Sequence, residues 1–272
     1  KNNTNFKCHN CGASLSFNNF LKELDPTLHK QYTLEKFKEG HTGKGFVVEA
    51  PKLEFKKPVF KKTLGLPKAS EIPSAKEYLT KRKLDPEKFY FANKFKEWTN
   101  SQKVTFDTIG RDESRIIIPM YDRDSNLIGF QGRSLVPNSV KYITVMLDEE
   151  APKIYGLNEV NEQLPIYVVE GPFDSTFVNN SVALCGSDGD IRCLEGSSIV
   201  FVYDNEPRNR EIVNRISKCI SRGEKVIIWP SGIVEKDIND MVLAGHDIMS
   251  VLESNTYSGL EAKIKFNNWK KI

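Results

Sequence analysis

The second half of the chain alternates short apolar runs with longer amphipathic stretches. Four strands are predicted by apolar runs at residues 166–169, 182–185, 199–203 and 226–229. Helical spacing fits the segments near 172–180, 207–221 and 237–244. Strands that alternate with helices in this way are typical of a parallel sheet with both faces covered. We therefore predict an α/β fold for this half.

Upstream of this half, the pattern is that of antiparallel strands. Two apolar runs, 115–121 and 127–133, flank a polar turn and predict a β-hairpin. A third strand is expected at 141–145. This region is therefore expected to be a separate lobe of mixed secondary structure.

Several helix starts are marked by residues that cap a first turn. Ser16 is a typical N-cap and predicts a helix after it, and Asp25-Pro26 predicts a second one. The segment Ser74-Ala75-Lys76-Glu77 has the form of a capping box, which predicts a third helix. Asp85-Pro86 predicts a short fourth helix. Between these groups, residues 41–73 are rich in Gly, Pro and Lys, which indicates a basic, extended linker.

The composition excludes several classes of protein. Hydrophobic residues make up 39% of the 272 residues and charged residues 28%. No apolar run approaches the roughly 20 residues that a membrane-spanning helix needs. The five cysteines form no disulfide-rich pattern, so a reducing, cytoplasmic setting is expected. Collagen, coiled coils, secreted disulfide scaffolds and membrane proteins are excluded.

Charge is distributed unevenly along the chain. Residues 1–100 contain 20 Lys and Arg against 11 Asp and Glu, whereas residues 101–272 contain 19 against 25. A basic front half favours a polyanionic partner. An acidic back half is able to hold metal ions. Ordinary solvated surface would also account for both halves.

Carboxylates follow three of the predicted parallel strands. They are expected at one edge of the sheet, because the carboxyl ends of parallel strands meet there. Crowded carboxylates repel one another unless a cation neutralises them, and Mg²⁺ or Mn²⁺ prefers such oxygen ligands. The candidate metal ligands are Glu170, Asp174, Asp204, Glu206, Asp237 and Asp240.

An alternative role exists for some of these acids. Asp204 and Asp237 precede predicted helices and would serve equally as N-terminal helix acids. The nearby Asp188-Gly189-Asp190 resembles an acidic metal motif, but a turn is the better interpretation, because it follows a short strand across two small residues.

The N-terminal segment contains half of a possible zinc site. Cys8-His9-Asn10-Cys11 is one Cys-x-x-Cys pair, whereas a complete zinc ribbon needs four ligands. The chain has no second such pair, and His29 and His41 are the weaker candidates to complete it. Cys8 and Cys11 are therefore expected to form an incomplete site.

Two sequence segments resemble the toprim domain of topoisomerases and bacterial-type primases. They are Val168-Val169-Glu170-Gly171-Pro172-Phe173-Asp174 and Val200-Phe201-Val202-Tyr203-Asp204-Asn205-Glu206. From about residue 6 to the C-terminus, the chain also resembles the DNA primases of T-even-like bacteriophages. The segments that match are Phe130-Gln131-Gly132-Arg133, Lys141-Tyr142-Ile143-Thr144, Lys153-Ile154-Tyr155-Gly156, Asp204-Asn205-Glu206-Pro207-Arg208, Lys236-Asp237-Ile238-Asn239-Asp240-Met241 and Trp269-Lys270-Lys271-Ile272.

The resemblance implies an activity and its cofactors. It implies template-directed synthesis of short RNA primers on single-stranded DNA for lagging-strand replication, from ribonucleoside triphosphates. Catalytic Mg²⁺ would be held by Glu170, Asp204 and Glu206, although the wider toprim family has Asp-x-Asp where this chain has Asp-x-Glu. Zn²⁺ would belong to a complete ribbon whose other cysteine pair is expected before Lys1. A hexameric replicative helicase would be the partner, in the cytoplasm of the host bacterium.

Three basic residues are the candidates for contact with nucleic acid or nucleotide. Arg115 and Arg133 lie on the paired strands of the predicted hairpin, and Lys141 begins the next strand. Guanidinium groups bind phosphate in bidentate fashion, and Lys supplies a point charge. The resemblance implies that these residues form a basic ridge beside the metals. The alternative is that they only solubilise a strand edge.

Together these features divide the chain into five parts. The fold expected is a toprim-type parallel sheet flanked by helices, preceded by a mixed α/β primase lobe and a partial zinc-ribbon segment. The parts are the partial zinc-ribbon segment with helices (1–50), the basic linker (51–73), the N-terminal lobe of the catalytic core (74–164), the toprim domain (165–250) and a C-terminal tail (251–272).

Two other functions remain compatible with the sequence. A toprim-type nuclease would share Glu170 and Asp204, and a non-catalytic DNA-binding replication subunit would share the basic front half. Synthesis of new RNA, cleavage of DNA, or binding without either would distinguish the three.

Overall fold

The computed structural model describes residues 5–7, 14–39, 63–186 and 190–272. The chain forms two compact units, Lys1–Pro58 and Val59–Ile272. The helices that these ranges contain are all too short or too polar to cross a bilayer.

The first unit contains a small hairpin and two helices. Its elements are β1 (Asn5–Lys7), β2 (Ser14–Ser16), α1 (Phe17–Leu24) and α2 (Pro26–Lys38), with β1 and β2 antiparallel. Both predicted caps are confirmed. Ser16 Oγ accepts a hydrogen bond from Asn19 N at 3.4 Å, and Asp25 Oδ1 accepts one from Thr27 N at 2.7 Å. The helices therefore begin where the sequence places their caps.

Part of the predicted linker packs into the second unit. Leu64 and Ala69 are buried, and residues 69–71 form a 3₁₀ turn. The prediction that the linker runs to residue 73 is therefore wrong for this stretch, because its apolar side chains have a core to enter. Residues 51–62 of the linker, and the predicted zinc ligands Cys8 and Cys11, lie outside the described residues.

The second unit begins with a four-stranded antiparallel sheet. The elements are α3 (Pro73–Lys81), β3 (Tyr90–Ala92), α4 (Phe95–Gln102), β4 (Arg115–Tyr121), β5 (Leu127–Ser134) and β6 (Tyr142–Met146), and the strand order is β3-β4-β5-β6. The predicted hairpin and third strand are confirmed. The predicted capping box is not confirmed, because α3 already starts at Pro73 and Ser74 lies inside its first turn.

A six-stranded sheet follows along the chain. Its strands are β7 (Ile154–Tyr155), β8 (Ile166–Val169), β9 (Ser181–Leu184), β10 (Ile199–Val202), β11 (Lys225–Ile227) and β12 (Thr256–Tyr257), in the order β12-β11-β10-β8-β9-β7. The four central strands are parallel, as predicted, and the two edge strands run antiparallel to their neighbours. Each edge strand has two residues, too few to show an apolar pattern.

Five helices cover this sheet or cross its edges. They are α5 (Pro172–Ser175), α6 (Arg210–Ser221), α7 (Ile238–Ala244), α8 (Ile248–Ser254) and α9 (Gly259–Trp269). The first is shorter than the predicted helix at 172–180. The predicted C-terminal tail is also wrong as a description of the structure, because it includes β12 and the buried residues Ala262, Phe266 and Trp269 of α9.

An aromatic contact joins the two sheets. Phe173, in α5, packs edge-on against Phe89 with ring centroids 5.3 Å apart, in a cluster with Ile116 and Ile118 of β4. Because α5 directly follows β8, this contact fixes the four-stranded sheet beside the carboxyl end of the parallel strands. It also sets the position of Asp174, the next residue of the helix.

Candidate active site

The strand order brings three acidic segments together. β8, β10 and β11 are neighbours, and Glu170, Asp204 and Asp237 follow them along the chain. β9 lies on the other side of β8. In the Asp188-Gly189-Asp190 motif after β9, the carboxylate of Asp190 accepts hydrogen bonds from Arg192 N at 2.9 Å and from Arg192 Nε at 2.7 Å. Asp188 lies outside the described residues.

A small pocket opens where these strands end. The side chains that carry charge in it are Glu170, Asp174 and Asp204. Its other walls are mainly apolar or aromatic, formed by Val169, Val202, Tyr203, Trp229 and Ile238. Three carboxyl groups thus share a cleft whose walls offer little compensation for their charge.

Glu170 is the least satisfied of these groups. Its Oε1 is buried and accepts no hydrogen bond from the described residues. Arg215 Nη1 lies 3.7 Å away, within ion-pair range but beyond hydrogen-bond range. Burial raises the pKa of Glu170 to about 7, Asp204 adds to the effect, and Arg215 opposes it.

Asp174 and Asp204 are perturbed in the same direction. Burial raises the pKa of Asp174 to about 7, with a further contribution from Asp237, while a hydrogen bond from Asn239 N at 3.0 Å opposes the shift. Burial raises the pKa of Asp204 to about 6 against the opposing charge of Lys236. Three carboxyls with raised pKa values in one cleft make it the candidate functional site.

Glu206 is different because a lysine neutralises it. Partial burial acts to raise its pKa, but hydrogen bonds from Lys236 Nζ (2.9 Å) and Asn209 Nδ2 (2.9 Å) hold the pKa below its usual value. The same Lys236 Nζ lies 3.9 Å from Asp204 Oδ2. Lys236 therefore bridges the two carboxylates that follow β10.

The remaining predicted ligands, Asp237 and Asp240, lie at the start of α7 and do not line the pocket. Asp237 is the N-cap of α7, and its Oδ1 accepts a hydrogen bond from Asp240 N at 2.8 Å. Asp240 is exposed in the first turn. The helix-capping alternative thus holds for Asp237, but not for Asp204, because Asn209 caps α6.

The six predicted metal ligands do not form one compact ligand set. Within residues 5–7, 14–39, 63–186 and 190–272, no three His, Cys, Asp or Glu side chains lie as close together as the ligands of a bound metal ion, so these carboxylates would have to draw closer to hold one. Some of the carboxylates are nevertheless close enough to contribute to the raised pKa of a neighbour. Asp204 does so for Glu170. Asp237 does so for Asp174 and Asp204.

Two of the predicted basic residues lie on the side of the four-stranded sheet that faces this cleft. The guanidinium of Arg133 lies 4.8 Å from the ring centroid of Tyr142 and 5.9 Å from that of Tyr78. Its buried Nε has no hydrogen-bond partner among the described residues. Lys141 is exposed as a residue. The pKa of its ammonium is lowered, chiefly because part of the side chain is buried and also because of the charges of Arg133 and Arg82. These groups form a cationic surface next to the cleft carboxylates.

Arg115 is not part of that surface, which corrects the sequence prediction. It is 2% exposed, its Nη1 donates to Gly132 O at 2.8 Å, and it forms an ion pair with Glu113. Its guanidinium also lies over the Phe95 ring, 5.2 Å from the centroid. With these internal partners, Arg115 stabilises the lobe and is not available to bind phosphate.

Sequence reasoning missed four polar residues that organise the site. They are Arg82, Arg215, Lys236 and Asn239. A signal existed for Lys236 and Asn239, because both lie in the segment that contains the predicted ligand Asp237. Arg82 and Arg215 approach the carboxylates from helices far away in sequence.

Comparison with known proteins identifies the family. A DNA primase of Enterobacteria phage T4 is 32% identical over 289 aligned residues, which cover 100% of this chain and 83% of the relative. The chain belongs to the DNA primases. As a primase, it is a primer-synthesising nucleotidyltransferase. The predicted function is thereby confirmed over the nuclease and the non-catalytic subunit.

Solved primase structures share the fold of this primase. The crystal structure of the Aquifex aeolicus primase, with its zinc-binding and RNA polymerase domains, has a TM-score of 0.53 and 19% identity, covering 93% of this chain and 74% of that chain. A DnaG primase catalytic domain bound to single-stranded DNA has a TM-score of 0.52 and 21% identity, covering 70% and 75%. No protein-family model matches. The mixed α/β fold of a primase catalytic core is confirmed.

Proposed function

We propose that this primase joins ribonucleotides on a single-stranded DNA template at the cleft formed by Glu170, Asp174 and Asp204, in the presence of Mg²⁺ or Mn²⁺. Glu206 completes the set of catalytic carboxylates. The six-stranded sheet is the toprim-type domain in this proposal, and the four-stranded sheet belongs to the N-terminal lobe. The DnaG domain that was solved with single-stranded DNA supports the choice of template.

The observation that carries the proposal is the unsatisfied oxygen of Glu170. A buried carboxylate oxygen without a hydrogen bond is costly, and the ion pair with Arg215 at 3.7 Å only partly offsets that cost. A divalent cation would offset more of it. The raised pKa values of Glu170, Asp174 and Asp204 have the same explanation, because a divalent ion would favour their ionised forms. These three residues would hold the ion, with Glu206 beside them. Bound there, Mg²⁺ would neutralise the charge that develops on the phosphate oxygens.

The cationic residues of the chain supply the rest of the charge balance. Lys236, which already bridges Asp204 and Glu206, is placed to bind phosphate oxygens of a nucleotide that enters the cleft. Arg133 and Lys141 would bind the template or the triphosphate. The position of the Arg133 guanidinium beside Tyr142 and near Lys141 supports this assignment, because guanidinium groups bind phosphate in bidentate fashion. Phosphoryl transfer depends mainly on such positioning and charge neutralisation.

The proposal extends to zinc and to partners. Cys8 and Cys11 would supply two of the four ligands of a Zn²⁺ site, by analogy with the zinc-binding domain for which the Aquifex aeolicus structure is named. Ribonucleoside triphosphates would be the substrates, a hexameric helicase the partner, and the host cytoplasm the location. Elemental analysis of the purified chain, repeated with Cys8→Ser, tests the zinc assignment.

Substitution of the carboxylates tests the proposed site. Glu170→Gln and Asp204→Asn should reduce primer yield to background on single-stranded DNA with Mg²⁺ and labelled ribonucleotides. Asp124→Asn, in the turn between β4 and β5, is the matched control and should retain full yield. Circular dichroism verifies that all three fold. Primer yield near the unsubstituted level from either cleft variant would refute the assignment.

A further inference from the structure

The side chain of Asn205 points into the protein, although Asp204, the residue before it, lines the cleft. Its amide nitrogen donates hydrogen bonds to Ile233 O and Glu235 O, both at 3.0 Å. Its Oδ1 accepts a hydrogen bond from Trp269 Nε1 at 2.9 Å. Both amide hydrogens and the amide oxygen are thus used, so the side chain has one well-defined orientation.

The backbone of Asn205 makes a second connection to the same loop. Asn205 N donates to Lys236 O at 2.7 Å. Lys236 is the residue whose ammonium reaches both Asp204 and Glu206. One residue therefore fixes the peptide that carries the two carboxylates and also the peptide that carries their cation.

The C-terminal helix supports this arrangement from outside. Trp269, the last residue of α9, is 8% exposed and stacks on Phe266 with ring centroids 6.2 Å apart. Just beyond it, Lys271 N donates to Pro207 O at 2.9 Å. The end of the chain thus holds residues 205 and 207, on both sides of Glu206.

We propose that Asn205 and Trp269 are positioning residues that hold Asp204 and Glu206 in the geometry needed for nucleotidyl transfer. The inference rests on the proposed function. Its physical basis is that a displacement of about 1 Å at a reacting group costs about 100-fold in rate. A merely space-filling role would not need an amide whose hydrogens and oxygen are all bonded, since an apolar residue fills space without the cost of burying polar groups.

The chain offers a matched control for the tryptophan. Trp269→Phe removes one indole N–H and keeps most of the aromatic packing. Trp98→Phe does the same in the N-terminal lobe, where Trp98 Nε1 donates to Leu64 O at 3.0 Å. Each substitution removes one hydrogen bond, but only Trp269 contacts the loop that carries Asp204 and Glu206.

The test combines activity, metal dependence and stability. Trp269→Phe and Asn205→Ser should each lower the maximal rate about tenfold or more and raise the Mg²⁺ concentration for half-maximal rate several-fold. They should also reduce the increase in Tm that Mg²⁺ causes, which is a readout independent of activity. Trp98→Phe should leave all three unchanged. Each rate is measured at a temperature where circular dichroism shows the variant to be fully folded.

The outcomes separate this inference from the proposed function. Should Glu170→Gln abolish priming while Trp269→Phe and Asn205→Ser behave like Trp98→Phe, the proposed site stands and the positioning role is overturned. Should Glu170→Gln retain priming, the proposed function itself fails. A rate loss in Trp269→Phe with an unchanged Mg²⁺ response would also contradict the positioning role.

Discussion

Arg82 and Asn239 exchange two hydrogen bonds at 2.8 Å each, one from Arg82 Nη1 to Asn239 Oδ1 and one from Asn239 Nδ2 to Arg82 O. Arg82 ends α3 in the N-terminal lobe, and Asn239 lies in the first turn of α7 beside the parallel sheet. Asn239 N also donates to Asp174 Oδ1. One asparagine thus takes part both in a contact between the lobes and in the positioning of a cleft carboxylate.

Asn239→Ala should lower stability, because it removes the side-chain hydrogen bonds with Arg82 but keeps the backbone N–H that donates to Asp174. Asn239 is 2% exposed, so its loss leaves the Arg82 guanidinium and a backbone carbonyl without partners. We expect a loss of about 2 kcal/mol in the free energy of unfolding, measured by urea denaturation. The exposed Asn268 of α9 supplies the control, and Asn268→Ala should stay within about 0.5 kcal/mol of the unsubstituted protein. Equal stability for both variants would contradict the role of this contact.

The raised carboxyl pKa values predict a specific dependence of stability on pH. The pKa of Glu170 is about 7 in the folded protein, above the usual value of about 4.3 for an unfolded chain. A raised folded-state pKa contributes stability that is present below about pH 4 and lost as the pH rises through about 7. Glu170→Gln removes the ionisable group and with it this loss of stability as the pH rises. With EDTA present, the Tm of the variant relative to the unsubstituted protein should rise between pH 5 and pH 8.

Mg²⁺ should reverse this difference in Tm between Glu170→Gln and the unsubstituted protein, because the ion stabilises the ionised carboxylates of the unsubstituted protein. At pH 8, Mg²⁺ should raise the Tm of the unsubstituted protein more than that of Glu170→Gln. Differential scanning fluorimetry measures both effects. A Tm difference that is constant over pH and indifferent to Mg²⁺ would show that Glu170 is not the perturbed group.

The central strands and the cleft acids were predictable because each has a local signal. The apolar runs at β8, β10 and β11 are long enough to stand out, and the rule for strand ends then places Glu170 and Asp204 together. Arg215 and Arg82 had no such signal. Their approach to the carboxylates depends on how α6 and α3 pack, which is a property of the tertiary structure.

The burial of Arg115 shows why a strand register cannot be read from the turn alone. Tyr121 pairs with Leu127 next to the turn, and that register, if continued, would put Arg115 directly opposite Arg133. A bulge between Met120 and Tyr121 shifts the pairing by one residue, so Arg133 faces Ile116 instead. Because a one-residue shift reverses the faces, the two arginines point to opposite sides of the sheet.

The two arginines should therefore respond differently to substitution. Arg133→Ala should weaken the binding of single-stranded DNA or nucleotide, and Lys141→Ala should do the same. If a lost contact is to template phosphate, the slope of log affinity against log salt should fall by about one. Arg115→Ala should instead destabilise the fold by about 3 kcal/mol, because it leaves the carboxylate of Glu113 and Gly132 O without their buried partner. Fluorescence anisotropy and urea denaturation distinguish these results. A change in salt slope for Arg115→Ala, without loss of stability, would contradict its placement.

Gly132 explains why the strand beside these arginines tolerates no side chain at one position. A Cβ atom there would lie 2.5 Å from Phe95 Cε2 and 3.1 Å from Arg115 Cδ. Phe95 is 1% exposed and is held by edge contacts with Phe106 and Phe130, so its ring has no free space to move into. Gly132→Ala should therefore destabilise the protein by about 1–3 kcal/mol.

A glycine in open surroundings provides the comparison for Gly132→Ala. At Gly110, a Cβ would meet no atom within 4 Å. Gly110→Ala should therefore be neutral, or should stabilise the protein by up to about 1 kcal/mol, because alanine lowers the conformational entropy of the unfolded chain. Both variants are compared by urea denaturation, with Phe95→Leu combined with Gly132→Ala as a third. Because the smaller, flexible leucine makes room for the new methyl group, the double variant should lose less stability than the two single losses added together. Strict additivity would mean that the methyl group does not contact Phe95.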